Sequence, residues 1–339
     1  MIPKRMKKLY RRLAELGLNE LYVRKVSFPI GWSDEDTQNP AVYSQALSLL
    51  ATNLNIDIAS LQDDNTNLKW NASASHYFRK NSGISVPDLE IAKNLALNAA
   101  CIVTDSLSKP FVPAGRSGSL IRRAILNSGS PNVGFSALLD YCWGSGIPVL
   151  HLSVFPNKCK KPSGIACLVN NRPAIVIIMN SKYPAWLLFI LAHELGHIAK
   201  GHLDQHPILI DNDIDRDDND RLEIEATNFA VDLLTGNSNT TYNSEHSFTG
   251  ATLARESKKT SLRDEVDAGF IALNYAKTKS DSSKKNSYFA LGNSALQIIE
   301  PESNPVEAIR RKMCKQLDWD EIGRDNSHFI RQISGMKES

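Results

Sequence analysis

WLLFILAHELGHIAKGH, residues 186–202, is the stretch from which the rest of the chain can be read. Before His193 it is apolar throughout, and the whole run holds no Pro, so it reads as a helix with core on most sides. His193, Glu194 and His197 interrupt that apolar character, and such side chains are costly to bury without partners. Their spacing supplies a partner. His193 and His197 stand at i and i+4, on one helical face, so both imidazoles can point at a single tetrahedral cation. Glu194, at i+1, then sits beside that cation, where it can take a proton from a bound water.

Upstream, IPVLHLSV (147–154), GIACLVN (164–170) and PAIVIIMN (173–180) are short β-branched-rich runs separated by Pro, Lys, Asn and Gly. They predict a small antiparallel sheet feeding the helix. Downstream, residues 203–221 predict an acidic loop. Asp211, Asp213 and Asp215 alternate as in a calcium loop, but Arg216 stands where that loop needs Gly and Leu222 where it needs Glu, which leaves a solvated loop. RLEIEATNFAVDLLTG (221–236) predicts a further helix ending at Gly236. A catalytic zinc site needs a third protein ligand and an open position, and this helix offers Glu223 and Glu225. If Ala226, Phe229, Ala230, Leu233 and Leu234 pack inward, Glu223 shares their face. Glu225 lies about 200° round the helix and looks toward solvent or a basic neighbour.

FILAHELGHIAKGH (189–202) followed by EIEATNFAVDLL (223–234) resembles the ImmA/IrrE family of zinc-dependent peptidases, over about residues 147–236. The resemblance implies a zincin-like, gluzincin-type core in which His193, His197 and Glu223 hold Zn2+ and Glu194 is the general base. It also implies an edge strand at VIIMN (176–180). The family's Asn after Glu-Ala is Thr227 here, one turn beyond Glu223 and placed to hydrogen-bond a ligating His; its Met-Pro after Leu-Leu is Thr235-Gly236. YVRKVSFPIGW (22–32) carries a weaker likeness. The implied activity is cleavage of a protein substrate, a transcriptional repressor or antitoxin-like regulator. An oxyanion partner is sought among His202, His206, Tyr242 and His246, each of which also reads as an ordinary surface polar residue. His76, His151 and His328 are isolated.

The chain has 339 residues, room for more than one domain, and a globular composition with 42% hydrophobic and 22% charged residues. The division expected is a helical region over 1–110, the peptidase-like domain over 111–240 and a helical region over 241–339, an α+β protein. Helical stretches are expected over 41–61 and 88–107 and, in the C-terminal region, around 259–277 and 305–317, the latter two divided by KTKSDSSKKNS. A formal charge of +2 gives no global drive toward nucleic acid or membrane. Lys4, Arg5, Lys7, Lys8, Arg11 and Arg12 form a local basic cluster, read as a solvated helix face that could touch phosphate. Half of a helix-turn-helix pattern at NIDIASL (55–61) leaves DNA-binding regulation through residues 1–61 as a rival reading, and a metal-containing sensor or scaffold as another. Five cysteines without a C-x-x-C pair are expected to be reduced thiols. With no export signal and no apolar run of membrane length, a cytoplasmic protein is expected.

Overall fold

After Pro148 the chain forms three short strands, β1 (Val149–His151), β2 (Gly164–Val169) and β3 (Arg172–Ile177), and a fourth, β4 (Ile208–Ile210), returns to the same sheet. Asn170 and Asn171 both take left-handed conformations, φ 51° and 59°, and close a two-residue hairpin between β2 and β3. The computed structural model describes residues 2–71, 89–113, 115–210, 221–283 and 287–336. Strand order is β1-β3-β2-β4, and the sheet is mixed rather than wholly antiparallel. β2 runs against β1, β3 and β4, and because β3 inserts between β1 and β2, β1 and β3 pair in parallel. That order also corrects the expectation for VIIMN: β3 is interior, and the edges are β1 and β4. β4 itself falls within the expected acidic loop. It pairs with β2 through Ile165↔Ile210 and Cys167↔Ile208, and the aspartates that follow it mask its three apolar residues in the sequence. Those aspartates, at 211–220, and His76 lie outside the described residues.

The helices before the sheet are α1 (Lys4–Glu15), α2 (Glu20–Ser27), α3 (Pro40–Leu54), α4 (Ile58–Gln62), α5 (Glu90–Asp105), α6 (Gly118–Asn127) and α7 (Phe135–Gly144). After it come α8 (Pro184–Ala199), a 3-10 turn at His202–Asp204, α9 (Arg221–Thr235), α10 (Gly250–Asp264), α11 (Ala268–Ser283), α12 (Ser287–Ile299), α13 (Pro305–Gln316), α14 (Trp319–Ile322) and α15 (Arg324–Ser334). Both α5 and α8 pack on the sheet. Gly164, the first residue of β2, meets α8 at Glu194 and Ile190. α11 packs along α8, and α13 packs on β1. One buried apolar cluster runs through these elements from Met6 to Ile333, and a smaller one is built by Leu253, Ala254, Ala272, Tyr275 and Ala295 of α10–α12. Among the described residues, no helix is long and apolar enough to cross a membrane.

Local chemistry sets two helix boundaries that periodicity blurs. Within the helical stretch 41–61 the first helix ends at Asn55, which is left-handed with φ 57°, and the chain restarts as a helix when the Asp57 carboxylate accepts a hydrogen bond from the Ser60 N–H at 2.7 Å. In the same way the stretch around 259–277 breaks at left-handed Glu265, and the Asp267 carboxylate then accepts from the Phe270 N–H at 2.9 Å. Most of KTKSDSSKKNS is not a divider, since α11 continues to Ser283. The helix after Asn55 is five residues long, IASLQ, and carries no Lys or Arg, so the expected half-motif presents no basic recognition helix.

Arg12 departs from the solvated-face reading of the basic N-terminus. It is 7% exposed, and its guanidinium donates to the carbonyls of Leu61, Ser60, Asp63 and Thr66 at 3.2, 2.5, 2.9 and 2.9 Å. It thus satisfies the last carbonyls of α4 and the turn after it, where a cation also meets the negative end of the helix. Replacing Arg12 with Met is expected to lower stability by about 2–3 kcal/mol, because several buried carbonyls lose a charged donor together. A urea titration of wild type and variant measures the difference.

α8 begins with Pro184 at its first position, and the Glu300 carboxylate accepts a hydrogen bond from the Ala185 N–H at 3.2 Å. Burial and the neighbouring Asp267 carboxylate push the Glu300 carboxyl up to about 8, while the Ala185 N–H works the other way. The folded protein therefore holds a proton that the unfolded chain releases, and stability falls as pH rises from the ordinary carboxylate range through about 8. Melting temperatures taken from pH 5 to pH 8.5 are expected to show that decline in the wild type and a flatter profile in Glu300→Gln.

Candidate metal centre

The trio read from the sequence meets where α9 crosses α8. His193 and His197 project from the last turns of α8, one turn apart and both buried, with 6% and 1% of their surface exposed. Gly196, between them, sets the distance to α9. A Cβ at that position would lie 2.9 Å from the Ala226 carbonyl oxygen, 3.1 Å from Ala226 Cα and 3.2 Å from the Phe229 ring. Only a glycine lets the two backbones approach this closely, and Glu223, three residues before Ala226, is thereby carried to the imidazoles.

Glu223 Oε2 lies 3.0 Å from His193 Nε2, Glu223 Oε1 lies 3.5 Å from His197 Nε2, and the two Nε2 atoms are 3.0 Å apart. Among the described residues, these three side chains form a group whose ligand atoms all fall within 4.8 Å of one another. Bonds of about 2.0–2.1 Å at tetrahedral angles place ligand atoms about 3.3 Å apart, and the three separations straddle that value. Two imidazoles and a carboxylate, with no thiolate, also form the donor set of an open zinc site rather than a closed structural one. The residues present therefore fit a single small divalent cation.

Their charge states suit it as well. Burial works against ionisation of Glu223, but hydrogen bonds with His193 and His197 outweigh it and hold the carboxyl well below the usual range, so it is an anion. Burial lowers the pKa of His197, opposed by its contact with Glu223, and so favours the neutral ring that can ligate. The Glu223 side chain is 37% exposed, so the trio opens to solvent on the α9 side.

Glu194 is 1% exposed and occupies a notch in the sheet. At Gly164, the first residue of β2, an added Cβ would overlap the Glu194 carboxylate and lie 2.8 Å from Ile190 Cγ2. The missing side chain at Gly164 is thus what admits the Glu194 carboxylate between α8 and β2. Behind the trio, Thr227 Oγ1 stands 3.4 Å from His193 Nδ1, a long contact that matches the short reach of threonine.

His202 is the residue that reading along the chain misplaces. It is 6% exposed rather than a surface residue, and its Nδ1 lies 3.0 Å from His197 Nδ1. Its Nε2 lies 3.2 Å from Glu225 Oε2, and Glu225 Oε1 accepts from Arg221 Nε at 2.6 Å. The signal that could have found it is Gly201. With φ 75° that glycine ends α8 in the left-handed region and turns the chain back, so His202 returns to the helix it has just left. Of the other oxyanion candidates, Tyr242 lies beside Asp264 and Arg122, and Arg122 donates to the Leu234 carbonyl in the last turn of α9, about 16 Å along the axis from Glu223. His246 is exposed, its N–H bonded to Ser244 Oγ. His151 is a core residue whose Nε2 meets the Met179 carbonyl at 3.1 Å. All five cysteines are free.

Comparison of the chain with protein-family models, with curated proteins and with solved structures finds no match.

Replacing Gly196 with Val forces α9 away from α8. The variant is expected to lose about 1–3 kcal/mol of stability by overpacking and to bind zinc substoichiometrically while still folded. Elemental analysis after gel filtration, beside a thermal melt, checks both.

Proposed function

We propose that this chain is a zinc-dependent metallo-endopeptidase of the ImmA/IrrE type, with a zincin-like core, acting on a peptide bond of a protein substrate. The observation that carries the reading is the meeting of His193, His197 and Glu223 at mutual distances of 3.0–3.5 Å, with Glu194 next to His193 in the same helix and its carboxylate seated against Gly164. Zinc held there would supply a water of pKa near 7 and polarise the scissile carbonyl. Glu194 would accept the proton of that water and deliver it to the leaving amine, and its burial strengthens its electrostatic effect on whatever stands beside it. Two neutral imidazoles and one carboxylate would leave a divalent cation and its three protein ligands with a single positive charge toward a carbonyl oxygen. The resemblance of residues 147–236 to the family supports a transcriptional repressor or antitoxin-like regulator as the substrate. Five free cysteines suit a reducing cytoplasm.

One feature favours a second reading. Glu194 is 1% exposed, and a site that never opened to substrate would be a metal-bearing sensor or scaffold.

Glu194→Gln separates the two. The peptidase reading expects the variant to keep one zinc per chain while cleavage of a cognate repressor, offered as purified protein with zinc, falls by about 10²–10⁴-fold. A chelator should abolish the wild-type reaction. Cleavage that survives both treatments, or a wild-type chain that holds no zinc, would overturn the proposal.

A further inference from the structure

We propose that His202 and Glu225 form a positioning relay for His197, anchored at its outer end by Arg221, which selects the metal-ligating tautomer of His197 and makes it the better held of the two imidazole ligands. The inference rests on the metal-centre reading above and goes beyond it in assigning work to three residues outside the trio.

Ligation of a cation by His197 Nε2 selects one set of proton positions along these contacts. His197 Nε2 faces His193 Nε2 and Glu223, so ligation requires its lone pair there and its proton on Nδ1. That Nδ1–H donates to His202 Nδ1 at 3.0 Å, which makes the latter an acceptor and puts the proton of His202 on Nε2. His202 Nε2–H then donates to Glu225 Oε2 at 3.2 Å, and Glu225 Oε1 accepts from Arg221 Nε at 2.6 Å. Run in reverse, the chain would set a lone pair of His202 against the Glu225 carboxylate and place a proton on the metal-facing nitrogen of His197. The carboxylate therefore biases His197 toward the ligating form from two residues away, and a ligand ring donating toward negative charge is a stronger base.

Burial makes the bias effective. His197 and His202 are 1% and 6% exposed, so water does not compete for the hydrogen bond between them, whereas Arg221 is 88% exposed and reaches Glu225 from solvent. His193 has a weaker counterpart, its Nδ1 meeting the neutral Thr227 Oγ1 at 3.4 Å. The relay gives the second carboxylate of the E-x-E pair a role distinct from that of the first. Glu223 and Glu225 leave α9 about 200° apart, and the turn at Gly201 carries His202 round to meet the second.

The test uses the full chain loaded with zinc, read by chelator competition and by the visible spectrum of the cobalt-substituted protein. His202→Leu is expected to weaken zinc binding about 10–100-fold and to shift the cobalt bands, the range typical for loss of a group that orients a ligand. Thr227→Val should change affinity by less than about 3-fold, within the context-dependence of one long hydrogen bond. His202→Asn, which keeps an acceptor near the position of Nδ1, should recover part of the loss; Glu225→Gln, which keeps shape but removes the charge, should weaken binding in the same direction as His202→Leu. If His202→Leu does not fold, Glu225→Gln decides alone. Unchanged affinity and spectrum in the folded relay variants, with His193→Ala abolishing binding, would overturn the relay and leave the metal centre standing. A wild-type chain without stoichiometric zinc would overturn both.

Discussion

How closely α9 lies on α8 governs the whole site. Gly196 has no side chain, and Ala226 opposite it has a small one, so the two backbones meet at a separation that any larger residue would open. From that single close approach follow the placement of Glu223 against the two imidazoles, of Thr227 behind His193, and of Glu225 against His202. Helix packing is usually described by ridges and grooves, with interaxial distances of about 8–10 Å set by the side chains at the contact. Here the contact residue is chosen for absence, and the gap it leaves is what turns two helices into a site.

The second constraint lies on the other side of α8. A carboxylate buried to 99% must have room and a reason, and Gly164 provides the room at the start of β2. Sheet and helix are thus fitted to each other at a glycine just as the two helices are. The motif helix is held between two positions without side chains, Gly164 toward the sheet and Gly196 toward α9. The electrostatics follow the same plan, with an anion at Glu223 kept by its contacts with the imidazoles and a ring at His197 kept neutral by burial.

Much of this was legible because helical periodicity is a local property. The i, i+4 spacing of His193 and His197 and the place of Glu223 on the apolar face of its helix need no knowledge of the rest of the chain, and the structure brings those three side chains together. What was hidden depends on turns and on strand order. His202 is reached only through the left-handed Gly201, and reading outward from α8 as a straight rod sends it to the surface. β4 is three residues long beside a run of aspartates, and the parallel pairing of β1 with β3 follows from an insertion in space that adjacency along the chain does not reveal. Arg12 looks like one of six surface cations until the carbonyls it serves, about 50 residues away, are in place. The break at Glu265 escapes hydrophobic patterning, which runs on through it.

The buried cluster that joins Met6 to Ile333 bears on how small a working piece of this molecule can be. A fragment trimmed to the segment that bears His193, His197 and Glu223 would strip α5 from β2 and β3. It would also lose α13 from β1, and with α15 the Ile333 carbonyl that receives the N–H groups of Ser153 and Val154, each at 3.0 Å. Head and tail of the chain are structural walls of the central sheet rather than appendages, so excision at either end removes part of the floor on which the site is built.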